Sequence, residues 1–245
     1  MKNFQKLVGS IFVVALSACG GGSDSNAGTS PPPVIGQANT LTDAQIIAAI
    51  KATNSNWEGP NGYLSNGRPP GTWRWPNTPG QHIFVYIPAA SNAVEQELAR
   101  KVNTAISTYN KKLGAYFVLE AVNVVPAGKN VVQIAYNNSW IPPGSTDYNS
   151  YCANVSNVSG SGSMITPDSK NNIVNPVYIN LGNNHCNVTQ EIVDHEFGHA
   201  LGFNVHFNVF GNTTSPDNFW DVLATLYGNP QSTLAENLVV KRAAK

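Results

Sequence analysis

Charge is scarce in this sequence. Fourteen Lys and Arg balance fourteen Asp and Glu, and charged residues fill only 11% of 245 positions. With no clustered cations to neutralise phosphates, nucleic acid is excluded as the main partner. Methionine occurs only at Met1 and Met164, and cysteine only at Cys19, Cys152 and Cys186 with no CxxC spacing. Internal repeats are absent, and the 21 Gly and 16 Pro follow no period. A collagen-like chain, a coiled coil and wholesale disorder are thereby excluded, while 42% hydrophobic content is that of a globular protein. The length suits one large domain or two small ones and suffices for a sizeable core.

The N-terminus has the pattern of an export signal. Lys2 and Lys6 give it a positive start, Leu7 to Leu16 an apolar centre too short to span a bilayer permanently, and Leu16-Ser17-Ala18-Cys19 a close. This last tetrapeptide resembles the bacterial lipobox. The resemblance implies removal of residues 1–18, lipid on Cys19, and a membrane anchor made by burying acyl CH₂ groups. Gly20 after the Cys, in place of Asp, points in this class to the outer membrane of a bacterial envelope. A plain secretory cleavage near Ala18 is the alternative. Residues 19–36, with Gly20-Gly21-Gly22 and then Pro31-Pro32-Pro33, form a tether, flexible first and stiffer later. Loss of Lys2 and Lys6 takes the formal charge to about −2.

Residues 37–245 are expected to form a single domain, acting as a monomer. Cys152 and Cys186 remain as an even pair in an oxidising compartment, and their bridge is worth roughly 3–4 kcal/mol in the chain-entropy model. Cys186 and His185 as metal ligands are the competing reading. Thr42-Asp43-Ala44-Gln45 is a capping-box pattern that opens a helix to about Ala52. Strands are expected at His82 to Ile87, Tyr116 to Val125, Val131 to Tyr136 and Val177 to Leu181. A long helix spans Asn92 to Leu113, with Val94, Leu98, Val102, Ala105, Ile106, Tyr109 and Leu113 on one face. Asn54 to Gly80 and Asn137 to Asn172 read as loops, and Pro216 to Tyr227 as a packing helix. Trp73-Arg74-Trp75 reads as core or rim packing more readily than as a carbohydrate or cleft contact. This order makes the fold class α+β, a mixed sheet with helices packed on it.

The chemistry lies between Gln190 and His206. His195-Glu196-Phe197-Gly198-His199 is an HExxH motif. On a helix, four residues turn the chain about 400°, so His195 and His199 share a face and both reach one Zn²⁺ at about 2 Å. Glu196 then stands beside them near a zinc-bound water. Asn187 is a candidate N-cap for that helix, and Gly202 a candidate stop. Gly202 can also take a left-handed conformation that returns the chain towards the metal, and His206 follows it.

This segment resembles the metzincin metallopeptidases, close in His-Glu-Phe-Gly-His-Ala-Leu-Gly-Phe to their matrixin- and astacin-like members. The likeness extends over roughly residues 70 to 230. It implies a mostly parallel twisted sheet with a long backing helix and an active-site helix, one catalytic Zn²⁺ on His195, His199 and His206, and Glu196 as general base. His206 stands one residue later than the family's third His, where this chain has Val205. No methionine follows the motif, so the family's Met-turn has no counterpart. Asp217 and Asp221 stay open as alternative third ligands.

The function expected is a lipid-anchored zinc metalloendopeptidase acting on extended protein or peptide substrates. Glu196 would take the water proton and pass it to the leaving amine. Val177 to Leu181 is the expected sheet edge for pairing with substrate. With Cys19 lipidated and the other two cysteines bridged, no free thiol precedes the motif to act as a cysteine switch. Two other functions remain: a zinc-binding surface or adhesion lipoprotein that has lost turnover, and a metal-dependent hydrolase of a non-peptide bond.

Overall fold

The computed structural model describes residues 41–55, 68–76, 82–207, 210 and 217–245. The export signal, Cys19 and the tether lie outside the described residues. The described chain is α+β, with a five-stranded, mostly parallel sheet and four α-helices.

Helix α1, Asp43–Ile50, opens on the expected capping box: Thr42 and Gln45 satisfy each other's backbone donors. It buries Ile46 and Ile50 completely. It then widens into a π-helical turn, Lys51–Ser55, whose Thr53, Asn54 and Ser55 are buried despite their polarity. Strand β1, His82–Tyr86, leads into α2, Ala93–Leu113, capped by the side chain of Asn92. The apolar face of α2 is as expected except at Val94, which is 62% exposed. Val94 sits in the first turn, beyond the edge of the core that begins at Leu98.

Strands β2, Val118–Val122, and β3, Val131–Tyr136, flank β1 in parallel register. Strand β4, Ala153–Ser156, runs antiparallel to β5, Val177–Leu181, giving the order β2-β1-β3-β5-β4. This overturns the expectation that Val177–Leu181 forms the sheet edge. Val177, Ile179, Asn180 and Leu181 are all fully buried, as a strand paired on both sides requires. The edge on that side is β4, which lay inside the stretch read as loop. The Cys152–Cys186 disulfide joins the start of β4 to the segment before α3.

Helix α3, Gln190–Ala200, carries the HExxH motif. Its N-cap is Thr189 rather than Asn187: the Thr189 hydroxyl accepts from the Ile192 amide, and the helix begins two residues later than the Asn187 cap would place it. Helix α4, Asp217–Tyr227, packs beside α1 and α2. The Trp73 and Trp75 rings are fully buried and Arg74 is nearly so, which settles that tripeptide as core.

Candidate metal centre

Helix α3 is fixed at both ends by hydrogen bonds from neighbouring elements. At its start, Lys101 donates to the Val188 carbonyl and Gln190 donates back to the Lys101 carbonyl, tying α3 to α2. At its end the last carbonyls lack intrahelical partners, as in any helix. Side chains supply them: Trp75 Nε1 donates to Ala200 O, Tyr227 OH to Leu201 O and Asn54 Nδ2 to Gly202 O. Gly202 has φ +111°, the left-handed region expected of it, and the chain turns back there.

That turn brings His206 to His195 and His199. One ring nitrogen from each of the three lies within 4.8 Å of the others. His195 Nε2 and His206 Nε2 are 3.1 Å apart. Nitrogens about 2 Å from a shared tetrahedral ion stand roughly 3.3 Å from each other, so this spacing fits joint ligation. A hydrogen bond would also fit the pair, but it has no use for a third converging nitrogen. His199 Nδ1 meets the Phe203 carbonyl, which fixes the tautomer with a proton on Nδ1 and leaves Nε2 as a donor atom for a cation. Desolvation and the neighbouring imidazoles hold His195 down at about 2 and His199 at about 3, and desolvation lowers His206. All three are therefore neutral, the form that binds metal. His199 and His206 are only partly buried, so the cluster opens towards solvent.

Glu196 lies one residue along from His195 and is buried, with no hydrogen-bond partner for either carboxylate oxygen. Burial pushes it up to about 8. An orphaned carboxylate is costly in a fold that satisfies most other buried polar groups. Glu196 stands beside three neutral imidazoles, whose converging nitrogens form a group that can hold a metal ion.

Asp221 is committed elsewhere. It accepts from Arg242 Nη1 at 2.7 Å and from the Ala243 amide at 3.0 Å, and it is not among the groups that converge on the three histidines. This removes it as a third ligand. The side chain of Asp217 lies outside the described residues. Cys186 is used by the disulfide and is not available as a ligand.

One contributor escaped the sequence reading. Phe210 stacks on His195 at 4.3 Å and 9°, and meets His199 and His206 edge-on at 4.9 and 5.8 Å. It makes an apolar floor under the imidazoles. Gly198, inside the motif, makes room for it: a Cβ there would stand 2.7 Å from Phe210 and 2.8 Å from Phe219. No periodicity or motif marks Phe210. No protein-family model matches this sequence, and a search of curated proteins finds no match.

Proposed function

We propose that this chain is a zinc-dependent metalloendopeptidase of metzincin type, exported and held at the bacterial envelope through a lipid on Cys19. The observation that carries the reading is the convergence of His195, His199 and His206 beside a buried carboxylate, Glu196, that has no protein partner. A Zn²⁺ on the three imidazoles supplies Lewis-acid activation of water and polarisation of the scissile carbonyl. The rest falls to the chain's own residues. Glu196 accepts a proton from the attacking water at a carboxylate oxygen and delivers it to the leaving amine. A cation on the neighbouring imidazoles would favour the ionised form of this buried carboxylate, the form a general base needs. Phe210 and the turn from Gly202 to His206 keep the imidazoles in place. An extended substrate adds to the outer edge of β4, the sheet edge packed next to α3.

Among the described residues no helix is long and apolar enough to cross a membrane. Attachment therefore rests on Cys19 in this proposal. The adhesion-lipoprotein reading gains no support from the site, because a pure binding module has no use for an orphaned Glu196.

The test is cleavage of casein or gelatin by zinc-loaded protein, with chelator as control. Glu196→Gln is expected to keep the metal and lower turnover by about 10²- to 10⁴-fold. In cell fractions, Cys19→Ser is expected to move the activity from membranes to the soluble phase. Stoichiometric zinc together with hydrolysis that Glu196→Gln leaves unchanged overturns the peptidase reading.

A further inference from the structure

His195 and His199 are positioned by a helix, but His206 is not. It hangs on five residues of irregular chain after α3, one residue longer than the metzincin spacing, which would put the third His at position 205. Something must hold that turn. On the α3 side, Phe203 N donates to Gly198 O, and the Phe203 carbonyl takes the His199 ring. The backbone groups of Asn204 and Val205 bond instead to Thr53, in the π-helical turn after α1.

The Thr53 carbonyl accepts from Asn204 N at 3.0 Å. The Thr53 hydroxyl donates to Val205 O at 2.6 Å and lies 3.3 Å from Val205 N, which donates to it. Val205 is the residue that lengthens the turn, and both of its backbone groups are occupied by one hydroxyl. Asn54 acts one step earlier. Its Nδ2 donates to Gly202 O at 2.8 Å and to Trp73 O at 2.7 Å, while its Oδ1 accepts from Trp73 N at 2.9 Å. The amide is thereby fully used. Trp73 Nε1 completes the joint by donating to Asn54 O. Both Thr53 and Asn54 have no exposed surface. Gly202 admits this arrangement because its missing Cβ would stand 3.2 Å from Asn54 Nδ2.

We infer that Thr53 and Asn54 are the positioning residues of His206: they clamp the turn from Gly202 to Val205 and so hold the third imidazole over the cation site. The inference rests on the reading of the three histidines as a metal centre. Its consequence is that residues 41–55 are an integral part of that centre. The π-helical widening has a use here, since it aims two consecutive polar side chains away from α1 and into the core.

Cobalt(II) binding tests the clamp, because a Co²⁺ spectrum reports the ligand set without any turnover. Thr53→Val keeps the side-chain shape and deletes the hydroxyl. It is expected to weaken Co²⁺ binding about 10- to 100-fold, and to shift the visible bands towards those of His206→Ala. Thr53→Ser, which restores the hydroxyl, is expected to recover both. In metal-free protein, hydrogen exchange at the amides of Asn204 and Val205 is expected to quicken in Thr53→Val while the amides of α3 stay protected. Asn54→Ser is a second variant for the Gly202 end, but Thr53→Val suffices if that one fails to fold. Wild-type affinity, spectrum and exchange in Thr53→Val overturn the clamp, as does a lowered melting temperature with an unchanged spectrum and affinity. If wild-type protein takes up no Co²⁺, the metal centre itself fails, and the exchange comparison still decides whether Thr53 holds the turn.

Discussion

Gly198 shows how much of the site depends on a single missing atom. The motif fixes only His195, Glu196 and His199, and position 198 is free as far as ligation is concerned. In the fold it is not free, because the Phe210 and Phe219 rings close over it and a Cβ would meet both well inside contact distance. Gly198→Ala would normally favour a helix by about 1 kcal/mol. Here the displaced Phe210 ring is expected to reverse that sign, with a net loss of roughly 1–3 kcal/mol from overpacking. The same displacement unstacks Phe210 from His195. Urea unfolding paired with a zinc-content assay checks this, and a variant more stable than wild type would show that the rings can move aside freely. At this scale the sequence displayed His195, Glu196 and His199 plainly, because HExxH is a spacing rule, whereas the third position stayed open among His206, Asp217 and Asp221. Phe210 and Thr53 escaped it because each acts through contacts with no local pattern: the Thr53 clamp joins positions 152 apart.

Elements were legible in proportion to the apolar periodicity they carry. The 21-residue helix α2 buries its expected stripe from Leu98 to Leu113, and β3 runs over Val131–Tyr136 as read. Strand β4 has only the four residues Ala153–Ser156, two of them polar. It becomes a strand through its register with β5, Ala153 against Leu181 to Ser156 against Tyr178, and through the disulfide at Cys152. Neither is visible locally. The loop from β4 back to β5 is organised by polar side chains in the same nonlocal way. Asp168 accepts from the amides of Lys170 and Asn172 and from Asn172 Nδ2, all within 2.9 Å. Partial burial raises its pKa, but these hydrogen bonds more than offset that, and the net direction is down. A carboxylate depressed in the folded state contributes stability that is full above its unfolded pKa, about 3.9, and is lost as pH falls through the folded value. Asp168→Asn puts an amide among donors, so it is expected to cost about 1 kcal/mol at neutral pH. It should also flatten the acid limb below about pH 4. Thermal unfolding of both proteins across pH 2 to 7 tests this, and parallel curves would refute it.

On the scale of the whole molecule, the C-terminal residues and the N-terminal helix are one latch. Asp221, Thr225 and Asn229 stand four residues apart on α4 and in the turn after it, and so share a stripe. The segment after Leu238 runs along that stripe. Val239 exchanges hydrogen bonds with Asn229, Lys241 with Thr225, and the Ala243 amide meets Asp221. Arg242 then reaches across to the Leu41 carbonyl and the Asp43 carboxylate, where α1 begins. Through α1 the same linkage reaches Thr53 and the His206 turn. Water screens the Arg242–Asp43 pair, whose members are 43% and 68% exposed, and reaches the Asp221 pair from the Arg242 side, although Asp221 is only 13% exposed. Arg242→Ala is therefore expected to cost under about 1 kcal/mol, and less at high salt. Removing residues 238–245 is a different matter, since it strips the partners from Thr225 and Asn229, both buried. That truncation is expected to lower stability by about 1–3 kcal/mol, and to raise hydrogen exchange first in α1 and then at Asn204 and Val205. If exchange rises on α4 alone, the two termini are separate additions to the core and α1 keeps its grip on the His206 turn unaided.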